Sequence, residues 1–483
     1  MKLPARWPIL LVTLAGFGLR AAELGRQSLW FDEAFSVVVA GINWLIFWAA
    51  LLTDGVHPPG YYLLLRGWLA LAGSSEFAAR WPSVLAGALA IPLLYQLGRA
   101  LHSRKLGLAS AALLALNPFA LWYAQEARMY SLLLALTLVS GLAFWRLLAQ
   151  PGLKWAALLA AATALNFQIH YFAFAFSLVQ FVLLLATLTK THRALRWWAA
   201  AQAAAIGPFL PWAWAVAGRE GGSFGINWIP PVTALDLPLT LSNLAFALSD
   251  PSQPLTWLAL LLASAALATG VIGLYKKENA RPMVAGFLLV WLLLPPLALW
   301  LMSLKQPLYV DRYFILSLPA LLLLLASAAL LPRGWGNAAL GLLLAASLAG
   351  SLRLFTDPAL QKEAWRAVAQ QVQTAAQPGD ALLIHDMQAS IPFGYYYRGA
   401  LPAQIASIND EVFPLAGLIG DSRRVWLVYR RPFQATHNLS GSEPFGWQAE
   451  TQLQILDWLQ AHRPNLAEET TLPGVYLLRF DLR

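Results

Sequence analysis

Residues 28–40 read SLWFDEAFSVVVA, with Asp32 and Glu33 side by side in an apolar run. Desolvating two carboxylates is costly, and adjacent ones repel. Other polar groups recur in similar settings: His57 in DGVHPPGYY (54–62), Glu126 and Arg128 in QEARMY (125–130), His170 in NFQIHYF (166–172) and Arg312 in YVDRYF (309–314). Together they suit one kind of reaction. A carboxylate takes the proton from a hydroxyl or amine as it attacks a carbon. A phosphate leaving that carbon needs cationic hydrogen-bond donors, and arginine presents a planar fork to it. Asp32 and Glu33 are therefore candidate catalytic residues, and Arg128 and Arg312, helped by His57, are candidates for binding the phosphate of a lipid-linked donor. Tyr61, Glu126, Tyr130, His170 and Tyr313 lie in the same motifs and are candidates for the pocket wall.

Each group also has a plainer reading. Asp32 and Glu33 suit the first turn of a helix, where the macrodipole favours acids. His57 precedes a Pro pair and fits a turn, and Arg128 and Arg312 suit side chains snorkelling to headgroups. His170 fits a satisfied histidine in an aromatic turn. The combination outweighs these separate readings. The seven histidines show no H-x-x-H or H-E-x-x-H spacing, which argues against zinc. With no cysteine, disulfides and thiolate chemistry are excluded. GGSFG at 221–225 lacks the strand–helix context of a nucleotide loop, and Asn438-Leu439-Ser440 matches a glycosylation triplet that arises often by chance.

The elements that position these groups are membrane helices. Of 483 residues, 59% are hydrophobic and only 12% charged, with mean hydropathy +0.57; soluble domains carry about 25% charged residues. The net charge of +9 is no nucleic-acid footprint, because the basic residues cluster between apolar segments. Lys2/Arg6, Arg99/Arg104/Lys105, Arg146/Lys154, Lys190/Arg193/Arg196, Lys276/Lys277/Arg281 and Arg333 are expected on the cytoplasmic side. Helices fit 8–24, 80–98, 106–121, 129–148, 155–169, 172–189, 197–217, 255–275, 282–303, 313–331 and 337–354. That predicts about eleven spans of a multi-pass plasma-membrane protein, N-terminus cytoplasmic and C-terminus outside. The first segment reads as an uncleaved helix, with Arg20 snorkelling to the outer surface. Runs 34–52 and 58–72 are expected to lie along the outer surface in one loop from 25 to 79, which also holds Trp30, Trp44, Trp48 and Trp68. Every polar motif above then falls on the outer face. From about 355 the pattern changes: a helix after Asp357-Pro358, strands at 381–385, 424–429 and 475–480, and a helix at 449–461 predict an extracytoplasmic α/β domain, 355–483, after a membrane domain, 1–354.

The acid pair, HPPGYYLLLRGW, EFAARWPS, QEARMYSL, IHYF and RYF, in this order, resemble the integral-membrane GT-C glycosyltransferases. The likeness is greatest to bacterial members of the protein O-mannosyltransferase and aminoarabinose-transferase group. The resemblance implies an undecaprenyl- or dolichyl-phosphate-linked sugar donor, an acceptor (protein, lipid or cell-envelope glycan) on the outer face, and inversion at the anomeric carbon. By position, Asp32 matches the catalytic acid, Glu33 its neighbour and His57 the slot before the Pro pair. Asp32 is the expected base and Glu33 its support; which of the two takes the proton is open on the sequence. Some members hold a divalent metal at the acid site. Here QEARMY stands where a D-x-D would, leaving Asp32 and Glu126 as the pair that would share one. A lipid-linked-sugar transporter is the alternative, but transporters place charged groups deep in their spans. A sensor would carry a sizeable cytoplasmic domain, and no cytoplasmic loop is long enough.

Overall fold

The computed structural model describes residues 7–218, 229–275, 282–385, 387–406, 415–430, 446–462 and 465–481. The basic residues Lys2, Arg6, Lys276, Lys277 and Arg281, GGSFG at 221–225 and the Asn438–Ser440 triplet lie outside them.

The first helix, α1 (Trp7–Ala21), corrects one expectation. Arg20 does not snorkel; it is fully buried and donates to Gly16 O, Leu114 O and Ala115 O at 2.9–3.1 Å. A buried guanidinium has five donors to satisfy, and the free carbonyls of a helix end supply the partners. Leu114 and Ala115 belong to the end of α6, introduced below, and Gly16 lies one turn back in α1.

Three short helices follow: α2 (Phe31–Gly41), α3 (Trp44–Asp54) and α4 (Gly60–Ala72). The apolar run 34–52 is thus two helices, not one. Asn43 breaks it by capping α3, its side chain accepting from Ile46 N at 3.0 Å. Arg66 of α4 donates to Ala40 O and Ile42 O, satisfying the end of α2, and its guanidinium lies over the Trp44 and Phe47 rings. The charge that makes 58–72 a poor span is the clasp of this corner.

The long helix α5 (Glu76–Leu101) packs against α1, α4, α6 and α8. The single helix expected at 106–121 is a bent pair, α6 (Arg104–Leu116) and α7 (Pro118–Ala124), at 59°. The residue before a proline is driven out of the helical region. Asn117 accordingly takes an extended conformation and caps α7, accepting from Ala120 N at 2.8 Å. The bend carries α7 and the loop after it sideways.

Next come α8 (Tyr130–Ala149), α9 (Leu153–Ile169), α10 (Ala173–Ala186), α11 (Leu188–Ile206), α12 (Leu210–Ala217), α13 (Asp236–Phe246), α14 (Pro254–Tyr275), α15 (Pro282–Ser303), α16 (Leu318–Ser327) and α17 (Arg333–Thr356), with a 3-10 turn at Asp311–Leu316 before α16. Two differ from expectation. Helix α11 starts before its basic residues and ends at Gly207-Pro208, because Lys, Arg and Thr at 189–196 are no helix breakers. Helix α13, unforeseen, packs on α14. Among the described residues five helices are long and apolar enough to cross a bilayer, six if the bent pair is one span; Trp7–Ala21, Leu153–Ile169, Ala173–Ala186 and Leu318–Leu330 are shorter apolar helices. The chain is a multi-pass membrane protein.

After α17, Asp357 caps only a 3-10 turn, Pro358–Leu360, and an extended strap follows before α18 (Trp365–Ala375). The remaining elements are β1 (Ala381–His385), α19 (Met387–Tyr396), β2 (Ala403–Ala406), α20 (Leu415–Ile419), β3 (Arg424–Arg430), α21 (Gly446–His462), β4 (Asn465–Leu472) and β5 (Val475–Asp481). They form one sheet in the order β2-β1-β3-β5-β4, parallel across β2-β1-β3 and antiparallel across β3-β5-β4. Strand alternation sends Leu382, Ile384 and Trp426 to one face against Trp365, Val368 and Phe393, and Leu383, Val425 and Leu427 to the other against Ile455 and Leu459. This unit sits on the stretch before α2: Leu29 N donates to the Tyr396 hydroxyl, which donates to Glu76, and Arg366 pairs with Glu76.

Candidate active site

The acids lie in the first turn of α2, where unpaired N–H groups and the macrodipole favour them. Consecutive helical residues are about 100° apart, so the two face different surroundings.

Glu33 is fully buried and saturated. Arg80 of α5 grips it bidentately (Nε–Oε1 2.7 Å, Nη2–Oε2 2.8 Å), Lys362 of the strap donates to Oε2 at 3.0 Å, and Ala127 N to Oε1 at 2.8 Å. Burial pushes this carboxyl up, but the charges of Arg80 and Lys362 and these donors hold it down at about 2. Arg80 is itself spent on Glu33 and on Leu24 O, Gln27 O and Ser28 O.

Asp32 keeps 16% of its side-chain surface and faces two arginines. Arg312 Nη1 lies 3.1 Å and Arg128 Nη2 3.8 Å from its Oδ2. Arg128 also donates to Asp32 O at 3.3 Å and Ser36 Oγ at 3.1 Å. Three rings, Trp30, Tyr130 and Tyr313, lie about 6 Å from the Arg312 guanidinium. The preceding residue anchors the turn that carries it: Asp311 accepts from Thr240 at 2.5 Å and Asn243 at 2.9 Å on α13. The unforeseen helix thus positions Arg312.

The bend at Asn117 delivers the 125–129 loop. Gln125 caps the end of α1 through Leu19 O, Arg20 O and Ala22 O, and its carbonyl accepts from Lys362 at 3.2 Å. Glu126 is fully buried with neither carboxyl oxygen hydrogen-bonded; Lys362 Nζ stands 3.8 Å from Oε1. Burial, the largest influence, raises this carboxyl to about 7 although the Lys362 charge pulls the other way.

Two neutral histidines close the pocket. His57 Nε2 lies 3.5 Å from Arg128 Nη2; arginine can only donate, so that nitrogen is the acceptor. His170 Nδ1 accepts from Phe172 N at 3.2 Å, leaving a proton on Nε2, which has no partner. Burial first, then the nearby arginines, pushes both imidazoles down, His170 to about 3. Their rings meet at 5.2 Å because Gly60 lets the start of α4 approach the last turn of α9: a Cβ there would fall 2.5 Å from Gln168 O.

Of the residues singled out in the sequence, the fold gathers Asp32, His57, Arg128, Tyr130, His170, Arg312 and Tyr313 into one pocket. Glu126 adjoins it, and the charges of Arg312 and Asp32 act on it. Glu33 faces the strap instead, and Tyr61 points toward Ser83, while its neighbour Tyr62, not singled out, faces Arg128 and Asp32. Arg80 and Lys362 were also missed. An arginine inside an apolar helix was a signal for the first; nothing marked the second. A metal shared by Asp32 and Glu126 does not fit, since each carboxyl already faces a protein cation, and among the described residues no cluster of three or more His, Asp or Glu is placed to hold one.

Residues 56–214 match a family model described as dolichyl-phosphate-mannose-protein mannosyltransferase. No curated protein matches the sequence significantly. Among solved structures, ArnT from Cupriavidus metallidurans bound to undecaprenyl phosphate aligns with a TM-score of 0.62 at 13% identity, covering 98% of both chains. The Archaeoglobus fulgidus oligosaccharyltransferase complex with Zn and sulfate gives 0.52 at 10% identity, covering 88% of this chain and 68% of that one. AglB from the same organism, in complex with an inhibitory peptide and a dolichol-phosphate, gives 0.50 at 11% identity over 84% and 65%. At these identities the likeness is one of fold, and it spans nearly the whole chain: this is a multi-pass membrane protein with the GT-C glycosyltransferase fold.

Proposed function

We propose that this chain transfers a sugar from a polyprenyl-phosphate-linked donor to a hydroxyl or amine acceptor on the outer face of the membrane. The observation that carries the reading is Asp32 beside Arg128 and Arg312 in a buried pocket of neutral partners. Asp32 is the base: its carboxylate takes the acceptor's proton as the acceptor bonds to the anomeric carbon. The carbon–oxygen bond to phosphate breaks on the opposite side, inverting the centre, and its electron pair leaves on the phosphate. Arg128 and Arg312 receive that charge. Before transfer, one carboxylate and one phosphodiester balance two guanidiniums; afterwards a neutral carboxyl and a phosphate approaching two charges balance the same pair. Charge in the pocket therefore stays near zero throughout, without rearrangement. His57 orients Arg128 rather than adding charge, and Glu33 supports Asp32 by pinning α2 to Arg80, Lys362 and Ala127. No step passes through a metal.

The family match over 56–214 and the fold shared with a protein solved with undecaprenyl phosphate support such a donor. The basic clusters support about eleven spans, a cytoplasmic N-terminus, surface helices α2–α4 and a sheet domain, 355–483, outside the cell. The test is Asp32→Asn in membranes supplied with labelled polyprenyl-phosphate sugar: transfer is lost while folded yield is retained. Transfer at the wild-type rate by the folded variant would overturn the assignment.

A further inference from the structure

We infer that Glu126 reads the donor's sugar, accepting hydrogen bonds from hydroxyls of an uncharged sugar; this rests on the lipid-phosphate-sugar reading above. The pocket around Asp32 is rich in donors and poor in acceptors. Arg128 and Arg312 only donate, His170 presents Nε2–H, and one Asp32 oxygen is occupied by Arg312. A sugar brings several O–H groups, each needing an acceptor once water is excluded. Glu126 adjoins the pocket with two buried oxygens that accept no hydrogen bond, Lys362 standing 3.8 Å from one of them. A buried acceptor left unmatched is costly, and its complement is a ligand donor. Glu33 shows the contrast: its hydrogen bonds are all made within the protein, from Arg80, Ala127 and Lys362.

 

Charge settles which kind of donor group fits. The ion-paired groups of the site are three carboxylates, Asp32, Glu33 and Glu126, and four cations, Arg80, Arg128, Arg312 and Lys362. With both histidines neutral and Glu126 ionised, as it is above about pH 7, one positive charge is left, and the donor's phosphodiester uses it. A sugar ammonium would add a second positive charge, and Lys362, already 3.8 Å from Glu126, would repel it. A hydroxyl meets the same oxygens without that repulsion.

The test uses the full-length protein in lipid nanodiscs with three polyprenyl-phosphate donors: a neutral hexose, its mono-deoxy analogues and a sugar with a free amine. Wild type is expected to prefer the neutral hexose over the amino sugar by about 100-fold or more in kcat/KM, and to lose at least tenfold with one or more deoxy donors. Glu126→Ala should bring the hydroxyl-to-deoxy ratio close to one, and Glu126→Gln, which keeps one acceptor oxygen, should retain part of it. Equal use of the amino sugar by wild type would overturn the inference, as would a Glu126→Ala loss that is the same for every donor. Should the alanine variant fail to fold, the wild-type donor series and Glu126→Gln still decide. If wild type transfers none of these sugars, the donor reading itself falls, and this inference with it.

Discussion

Asp32 and Glu33 are neighbours in the chain and opposites in surroundings. Glu33 is sealed, gripped by α5, the 125–129 loop and the strap, and held ionised. Asp32 is partly open, with one oxygen on Arg312 and the other unengaged by any hydrogen bond among the described residues. A carboxylate with every lone pair engaged can hold a structure together but has little capacity to receive a proton. One with a free oxygen beside two arginines can do chemistry. The pair first looks like a doubled cost; it is one cost that fixes the backbone and one that the proposed reaction uses.

The sharpest way to break this contrast is to neutralise each acid in turn. Glu33→Gln leaves Arg80 and Lys362 short of a counter-charge in a sealed site, a change worth about 3–5 kcal/mol, so folded yield and Tm should fall steeply. Asp32→Asn, at a partly open site, should lower Tm less than Glu33→Gln does and lower transfer by at least about 100-fold. Thermal melts of both purified variants, paired with transfer assays, check this; a reversal of the two outcomes would exchange the roles. Next in size, Arg312→Ala and Arg128→Ala each remove a charge-assisted partner of the donor phosphate. Each should raise the donor KM about 10- to 100-fold and leave the acceptor KM within about twofold, as steady-state kinetics varying each substrate would show.

Glu33 and Glu126 should also differ in pH dependence. Glu33 titrates at about 2 in the folded chain against an ordinary value of 4.5. Its stabilisation is therefore full above 4.5 and is lost as pH falls from there through about 2. Glu126 runs the other way: its folded value is about 7, so the folded state is increasingly disfavoured as pH rises from 4.5 through about 7. Glu126→Gln should remove that decline, giving a Tm advantage over wild type that grows with pH across this interval. A constant difference would mean that Glu126 keeps the same charge throughout.

How much of this was legible in the sequence follows from how far each signal reaches. Apolar runs and basic clusters depend on local composition, and they located most helices. Asp32, Arg128 and Arg312 stood out because polar groups in apolar surroundings need a reason. Breaks were harder: Asn43 and Asn117-Pro118 divide runs that composition makes continuous, and the second break is what brings the 125–129 loop to the site. Partners distant in sequence were hardest. Lys362 lies 329 residues from Glu33, in a polar stretch where a lysine is unremarkable, and only the docking of the sheet unit brings them together. The division of labour between the adjacent acids was invisible for the same reason, since it rests on Arg80 and Lys362, neither of which was singled out.

The smallest expected effect marks the edge of the clasp. Arg366 stands four residues after Lys362, in the first turn of α18, but its side chain is 43% exposed where it meets Glu76 and Gly25 O. A screened pair of this kind contributes about 0–1 kcal/mol. Arg366→Ala should therefore lower Tm slightly and leave transfer per folded molecule unchanged. Lys362→Met acts four residues away in a sealed place: it removes the ammonium shared by Glu33 and Glu126 and should lower both. Measuring the two variants side by side, by melting and by transfer, separates what holds the sheet unit down from what lets it reach the site. If Arg366→Ala were as harmful to transfer as Lys362→Met, docking as a whole, and not the buried ammonium, would be what the membrane site requires.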